Sequence, residues 1–95
     1  MSRNEQVIQM ASKLYDARSS AKVLLAERYF PRVDAFQERI RNAMKASGRE
    51  EMEVAIHMAD VLAKAGCGLD SIVMLAAAVE MIEPSERPPA NDGEK

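Results

Sequence analysis

The sequence predicts an all-α fold: a small antiparallel bundle of about four helices, with a long first helix, three shorter ones and a disordered C-terminal tail. Apolar residues recur at steps of three and four along most of the chain, and the alternation typical of strands is visible nowhere. Breaks at Pro31, Gly48, Gly66-Cys67-Gly68 and Pro84 divide the sequence into helix-sized pieces. We therefore expect one helical domain over residues 1–83 and a disordered, proline-rich tail over residues 84–95.

The first predicted helix begins at Ser2, because Ser2 and Glu5 have the spacing of a capping box. Its apolar residues alternate steps of three and four, as in a heptad seam: Val7, Met10, Leu14, Ala17, Ala21 and Leu24. The small residues Ala17 and Ala21 would let another helix approach closely. We expect this helix to end near Tyr29-Phe30, because a proline disfavours the helical conformation of the residue before it.

The second predicted helix opens with Pro31 and ends at Ser47-Gly48, with Gly48 as a left-handed cap. Its core face carries Val33, Phe36, Ile40, Ala43 and Met44. The third helix is expected to start at once, because Ser47 and Glu50 repeat the capping-box spacing. One stripe of the third helix carries Met52, Ala55, Ile56, Ala59, Leu62 and Ala63, and a second stripe on the other side carries Val54, Met58 and Val61.

The fourth predicted helix begins at a cap on Asp70 or Ser71, ends at Pro84 and is apolar nearly all the way round. Such a helix must be buried on most sides. It is therefore either the central strut of the bundle or partly covered by a second chain. An alternative architecture is a bent three-helix core whose first helix projects into a partner subunit. A single kinked helix in place of the first two would change the assignment of the stripes.

Composition and charge narrow the class of protein. The chain has one cysteine, so it can form no intrachain disulfide, and its longest apolar run is far below the roughly 20 residues that cross a bilayer. We expect a cytoplasmic protein without membrane association. The net charge is −2, but residues 28–49 hold six basic and two acidic side chains, whereas residues 50–95 hold three basic and ten acidic ones. This separation of charge suits self-association or a charged partner.

Two surfaces are candidates for contact with another molecule. The second stripe of the third helix and part of the fourth helix predict a protein interface, most simply that of a homodimer, formed by Val54, Met58, Val61, Ile72, Leu75, Ala76 and Val79. A basic group on the second helix suggests contact with a nucleic acid or an acidic partner through Arg32, Arg39, Arg41, Lys45 and Arg49. Helical phase spreads these cations over more than one face, so a solvated or salt-bridged surface is the competing interpretation.

The residues that could support chemistry are few. Glu53, His57 and Asp60 have a spacing that could chelate a metal, but His57 is the only histidine, and the simpler interpretation is an exposed ladder of ion pairs that includes Lys64. Cys67 lies between two glycines and has no base close to it in the sequence. We therefore expect no enzymatic activity, no cofactor and no metal site.

These observations lead to one functional hypothesis and two alternatives. The first is a non-enzymatic helical interaction protein that self-associates and that binds and regulates another macromolecule through a protein partner. The second is a regulator associated with nucleic acid through the basic face of the second helix. The third is an inhibitor of a host complex, encoded by a phage or another mobile element.

Overall fold

A computed structural model describes residues 3–87 of the protein, without the side chains of residues 3, 4, 6, 7, 10 and 11. Helices α1 (Arg3–Leu25), α2 (Tyr29–Ser47), α3 (Glu51–Lys64) and α4 (Gly68–Ile82) make up nearly all of it, with a 3₁₀ turn over Ala26–Arg28. The predicted all-α class is confirmed. Because the 3₁₀ turn leads directly from α1 into α2, the helical backbone forms three continuous stretches rather than four separate ones. The capping box predicted at Ser2 lies outside the described residues.

The break between α1 and α2 falls earlier than the sequence predicts. Ala26 has a φ of 52°, a left-handed conformation that ends α1 at Leu25, so the predicted end near Tyr29-Phe30 is wrong. A proline lacks only a donor that the first turn of a helix does not use. Hence α2 can begin at Tyr29, two residues before Pro31, and the break in the helix lies upstream of both, at Ala26.

At the end of α2, the left-handed cap predicted at Gly48 is confirmed, whereas the capping box predicted for Ser47 and Glu50 is wrong. Gly48 has a φ of 72°, and its N–H donates to the carbonyl of Met44 at 2.7 Å, as expected of a left-handed cap. Ser47 does not cap α3. Its hydroxyl donates to the carbonyl of Ala43 at 2.8 Å and accepts from the N–H of Arg49 at 3.2 Å. Ser47 thus stays in the last turn of α2, and α3 begins after Glu50 without a side-chain cap.

Helix α4 is the central strut of the fold. Its residues from Val73 to Glu80 are all buried, and it packs against α1, α2 and α3, which contact one another far less. Five of its residues are fully covered, and three of these five are the alanines Ala76, Ala77 and Ala78. Such small side chains let helices approach closely from several directions. The other helices contribute to the same core through Leu14, Ala17, Ala21, Tyr29, Val33, Phe36, Ile40, Val54, Ala55 and Ala59.

The helices are not all antiparallel. Helices α3 and α4 are antiparallel, because Met52 at the start of α3 and Ile82 at the end of α4 line the same groove. Helix α1 instead runs in the same direction as α4: Leu14 lies beside Val79, and farther along α1 the amine of Lys22 donates to the hydroxyl of Ser85. The antiparallel prediction is therefore wrong for this pair. It rested on short links, which constrain only helices that are neighbours in the sequence.

Candidate interaction surfaces

A buried carboxylate holds the C-terminal end of α4 in place. Glu80 is only 5% exposed. The phenol of Tyr29 donates to its Oε2 at 2.7 Å, and the backbone N–H and the hydroxyl of Ser85 donate to its two oxygens at 2.6 Å each. The guanidinium of Arg18 lies 4.0 Å away. Glu80 thus joins α1, α2 and the segment after α4.

These contacts decide the ionisation of the cluster. Burial by itself would raise the pKa of Glu80, but the hydrogen bonds from Ser85 and Tyr29 and the charge of Arg18 outweigh burial, so the pKa lies below its ordinary value. Burial and the hydrogen bond to Glu80 raise the pKa of the Tyr29 phenol. Both groups therefore keep one protonation state across the neutral range, glutamate charged and tyrosine neutral. A cluster so fully paired in one state is structural, and it offers no group ready to accept or release a proton.

The segment after α4 is held by a second contact. The guanidinium of Arg87 donates to the two carboxylate oxygens of Asp34 on α2, at 2.6 and 3.1 Å, and lies over the ring of Phe30. This pairing lowers the pKa of Asp34 below its usual value. The domain boundary predicted at residue 83 therefore cuts through a contact network that extends to Arg87. The rest of the predicted tail, residues 88–95, lies outside the described residues.

The residues predicted as a protein interface separate into two groups. Val54, Leu75, Ala76 and Val79 are at most 6% exposed within the single chain, so they lie in its core and offer little surface to a partner. Met58 and Ile72 are half-buried, and Val61 is exposed. The physical reason is that α2 covers the second stripe of α3 at Val54 and Met58, and α1, α2 and α3 together cover α4. The seven residues therefore do not form one docking face.

A different apolar surface is open to solvent. Leu14, Tyr15, Met52, Val79 and Ile82 line a groove of about 150 Å³ between α1, the start of α3 and the end of α4. Tyr15 is 38% exposed and Ile82 is 47% exposed. The groove was not predicted, because Tyr15 lies beside the heptad seam of α1 and Ile82 follows the buried run of α4. Only the packing of three helices brings them together.

Acidic side chains adjoin the walls of this groove. Asp16 follows Tyr15 in the sequence, Glu51 precedes Met52, and Glu83 follows Ile82. Asp16 and Glu83 are exposed, and Glu51 is half-buried. Glu83 is already paired, because the guanidinium of Arg18 lies 3.5 Å from its carboxylate and 4.9 Å from the centre of the Tyr15 ring. The groove therefore has an apolar lining with both acidic and basic side chains next to it, which suits a protein segment with apolar side chains.

The predicted basic group is only partly available. Arg32 pairs with Asp70, and Arg41 pairs with Glu38. Arg39, Lys45 and Arg49 are exposed and form no ion pair with any residue that the structure describes. Arg32 and Arg39 both lie over the ring of Phe36, at 5.3 and 5.0 Å from its centre. Three of the five predicted cations are thus free for an outside partner.

The polar stripe of α3 behaves as a charged face. Lys64 pairs with Asp60 at 2.9 Å, and that contact lowers the pKa of Asp60. Glu53, His57 and Asp60 line an open cleft with Lys13 and Ser71, among other residues. Within residues 3–87, as far as their side chains are described, no group of three or more His, Cys, Asp or Glu residues is placed to hold a metal ion. Cys67 is exposed in the link between α3 and α4.

Comparison with models of protein families, with curated proteins and with solved structures gave no match to this chain. Among the described residues, no helix combines the length and the apolar character that a membrane span requires.

Proposed function

We propose that this chain is a non-enzymatic helical interaction protein that self-associates and that binds and regulates another macromolecule through a protein interface. The observation that carries the proposal is the apolar groove lined by Leu14, Tyr15, Met52, Val79 and Ile82. Leu14 and Val79 at the floor of the groove belong to the core, whereas Tyr15 and Ile82 at its walls are 38% and 47% exposed and leave apolar surface that the single chain does not cover. A groove of this size accepts one apolar side chain as an anchor.

The charges favour a second copy of the chain as one occupant. Asp16 and Glu51 are next in sequence to residues that line the groove, and no ion pair is formed by either among the described residues. Arg39 and Lys45 on α2, and Arg49 just after it, likewise have no carboxylate partner there. In a dimer with two-fold symmetry, each groove would face the basic α2 end of the other chain, and both contacts would form at once. A protein partner with apolar and basic side chains would compete for the same groove.

The test is the oligomeric state of two matched charge insertions, measured by sedimentation velocity over a range of concentrations. Ile82→Glu places a carboxylate in the groove and should abolish association through the groove. Val61→Glu makes the same change at an apolar residue that is 53% exposed. Val61 follows Met52 by nine residues, which places it on the opposite side of α3, so this variant should associate like the unmodified chain.

The outcomes separate the two candidate faces. If Val61→Glu dissociates the dimer and Ile82→Glu does not, the interface lies on α3 around Val61 and not at the groove. Association that neither variant changes, or a chain that is monomeric at every concentration, would overturn the proposed dimer. Circular dichroism of each variant confirms that its helices are intact. Added salt should weaken a dimer held partly by opposite charges.

A second candidate function is association with nucleic acid, favoured by the unpaired cations Arg39, Lys45 and Arg49. Binding of a labelled duplex would then weaken steeply with salt, because each neutralised phosphate releases counterions. The triple variant with glutamine at these three residues should lose the binding, and Arg32→Gln, which removes a cation already paired with Asp70, should change it less. Equal affinity of the triple variant and the unmodified chain would exclude this function.

A further inference from the structure

The junction between α1 and α2 holds an alanine in a conformation that alanine disfavours. Ala26 has a φ of 52°, and it is the only residue other than glycine with a positive φ among the described residues. In this region the Cβ atom of an L-residue comes too close to a carbonyl oxygen, and the hydrogen bonds of α1 end. Its neighbours Leu24, Leu25, Glu27 and Arg28 are residues that favour helices. The local sequence therefore prefers a continuous helix at the point where the structure bends.

Pro31 opposes that preference. In a continuous helix through residues 3–47, the ring of Pro31 would clash with the carbonyl of Glu27 four residues earlier, and the helix would lose one hydrogen bond. In the bent chain Pro31 is the third residue of α2, where its missing donor costs nothing. Two local effects thus oppose each other at the bend. The strain at Ala26 favours a straight helix, and Pro31 favours the bent chain.

Helix α1 contacts mainly one other helix, so two chains could exchange it as a unit. It packs almost entirely on α4 and hardly touches α2. Its described contacts with the rest of the chain include the buried residues Leu14, Ala17 and Ala21 and the polar contacts of Arg18 and Lys22 with the end of α4. The amine of Lys22 also lies over the ring of Tyr29 on α2. An identical α4 in a second chain would accept the same contacts unchanged.

Two large apolar side chains at the junction have no cover. Val23 is 81% exposed and Leu24 is 60% exposed, the first of these being the most exposed large apolar residue that the structure describes. They lie in the last turn of α1, directly before the bend. In two chains that had exchanged α1, the straightened junctions would cross, and Val23 and Leu24 of each chain could be covered there by the other chain.

We propose that this protein forms a domain-swapped dimer in which Ala26 returns to the helical conformation, α1 and α2 join into one helix, and α1 of each chain packs on α4 of the other. The second copy is the partner because it carries the only surface already shown to fit α1. Pro31 shifts the equilibrium toward the bent chain, because it destabilises the continuous helix. The swapped dimer is independent of the groove dimer proposed above, because it uses the existing contact between α1 and α4.

The experiment measures dimerisation of Pro31→Ala by sedimentation velocity after refolding at high concentration. Removing the proline from the helix interior should lower the dimer dissociation constant by at least about tenfold. Adding Ala26→Gly to this variant should reverse the gain, because glycine relieves the left-handed strain and disfavours the continuous helix. Pro84→Ala, which changes a proline outside the junction, is the matched control and should behave like the unmodified chain.

Crosslinking between isotopically distinct chains identifies the exchange itself. Labelled and unlabelled Pro31→Ala chains are refolded together, and a zero-length reagent joins amines to carboxylates. Lys13 on α1 and Asp60 on α3 line the same cleft, so a crosslink between them reports which α1 packs beside which α3. In a swapped dimer the Lys13–Asp60 crosslink should join one labelled and one unlabelled peptide in half of the crosslinked pairs.

Each result supports or overturns the inference. Dimers with mixed-isotope crosslinks that persist in the Ile82→Glu background support exchange of α1, whatever the fate of the groove. Crosslinks confined to one isotope would show that α1 stays on its own chain and overturn the inference. The same holds for a Pro31→Ala chain that remains monomeric. Dimers lost in Ile82→Glu and unchanged by Pro31→Ala would support the groove alone.

Discussion

Replacement of Tyr29 by phenylalanine isolates the hydrogen bond that the buried carboxylate receives from α2. The phenol is covered, with Tyr29 only 2% exposed, and it donates to Glu80 at 2.7 Å. Phenylalanine fills the same volume apart from the hydroxyl, so the variant removes the donor and little packing. Glu80 keeps its two hydrogen bonds from Ser85 and the nearby charge of Arg18.

The expected cost follows from the charge of the acceptor. A hydrogen bond to an ionised group contributes about 1.5–3 kcal/mol, compared with about 0.5–1.5 kcal/mol for a neutral pair. We therefore expect Tyr29→Phe to lower the free energy of unfolding by about 2 kcal/mol at pH 7. For a domain of this size, each kcal/mol shifts the unfolding temperature by roughly 4–8 °C, so the loss is readily measured.

The cost should also depend on pH. The pKa of Glu80 is lower in the fold than in the unfolded chain, so its contribution is complete above the unfolded pKa of about 4.3 and disappears as the pH falls through the lower folded value. Once Glu80 is protonated, the cost of Tyr29→Phe should fall to that of a neutral hydrogen bond. The raised pKa of Tyr29 has the opposite consequence, since stability falls as the pH rises above about 10, where the unfolded phenol ionises.

Urea denaturation followed by circular dichroism, at intervals from pH 7 to pH 3, measures both effects. Tyr15→Phe is the matched control, because Tyr15 is 38% exposed, and its removal should change stability by less than about 0.5 kcal/mol. A cost of Tyr29→Phe no larger than that of this control at pH 7 would contradict a strong hydrogen bond to a charged Glu80. A cost that stays the same at every pH at which the chain still folds would contradict it as well.

Three further substitutions test the packing and the junction, each through its urea midpoint. Ala26→Gly should raise the free energy of unfolding by up to about 1 kcal/mol, because relief of the left-handed strain exceeds the added entropy of the unfolded chain; a loss would show that Ala26 is unstrained. Ala77→Leu should lower the free energy of unfolding by about 1–3 kcal/mol, because Ala77 is fully covered at the centre of α4. Ala35 is exposed, so Ala35→Leu should be nearly neutral, and equal effects of the two variants would contradict the central position of α4. Arg87→Ala removes a half-exposed pair with Asp34 and should cost at most about 1 kcal/mol; a larger loss would make the segment after α4 a principal part of the fold.

Much of the local structure can be predicted from the sequence. The cap at Gly48 and the end of α4 before Pro84 follow from the conformations that glycine and proline allow. The burial of α4 follows from its composition, because a helix that is apolar nearly all round has no face to expose. These features depend on a residue and its immediate neighbours.

Other features required the assembled chain. The first two residues of α2 precede Pro31, and Ser47 binds back to Ala43 instead of capping α3; in each case two local solutions are close in energy, and tertiary packing selects between them. The predicted interface is incomplete for a related reason. Periodicity identifies which residues must be covered, as it does for Val54 and Leu75, but it does not say whether the cover comes from the same chain or another.

The sequence by itself determined that this protein is helical, where Gly48 caps a helix, that the last helix is buried and that charge is divided between the middle and the C-terminal half. Only the tertiary structure decided that α1 runs parallel to α4, that Glu80 is buried among donors from Tyr29 and Ser85, and that Tyr15 and Ile82 share an open groove. The physical reason is the range of the interactions. Backbone preference and periodicity act within a few residues, whereas a covered charge or a shared groove depends on which distant helices meet.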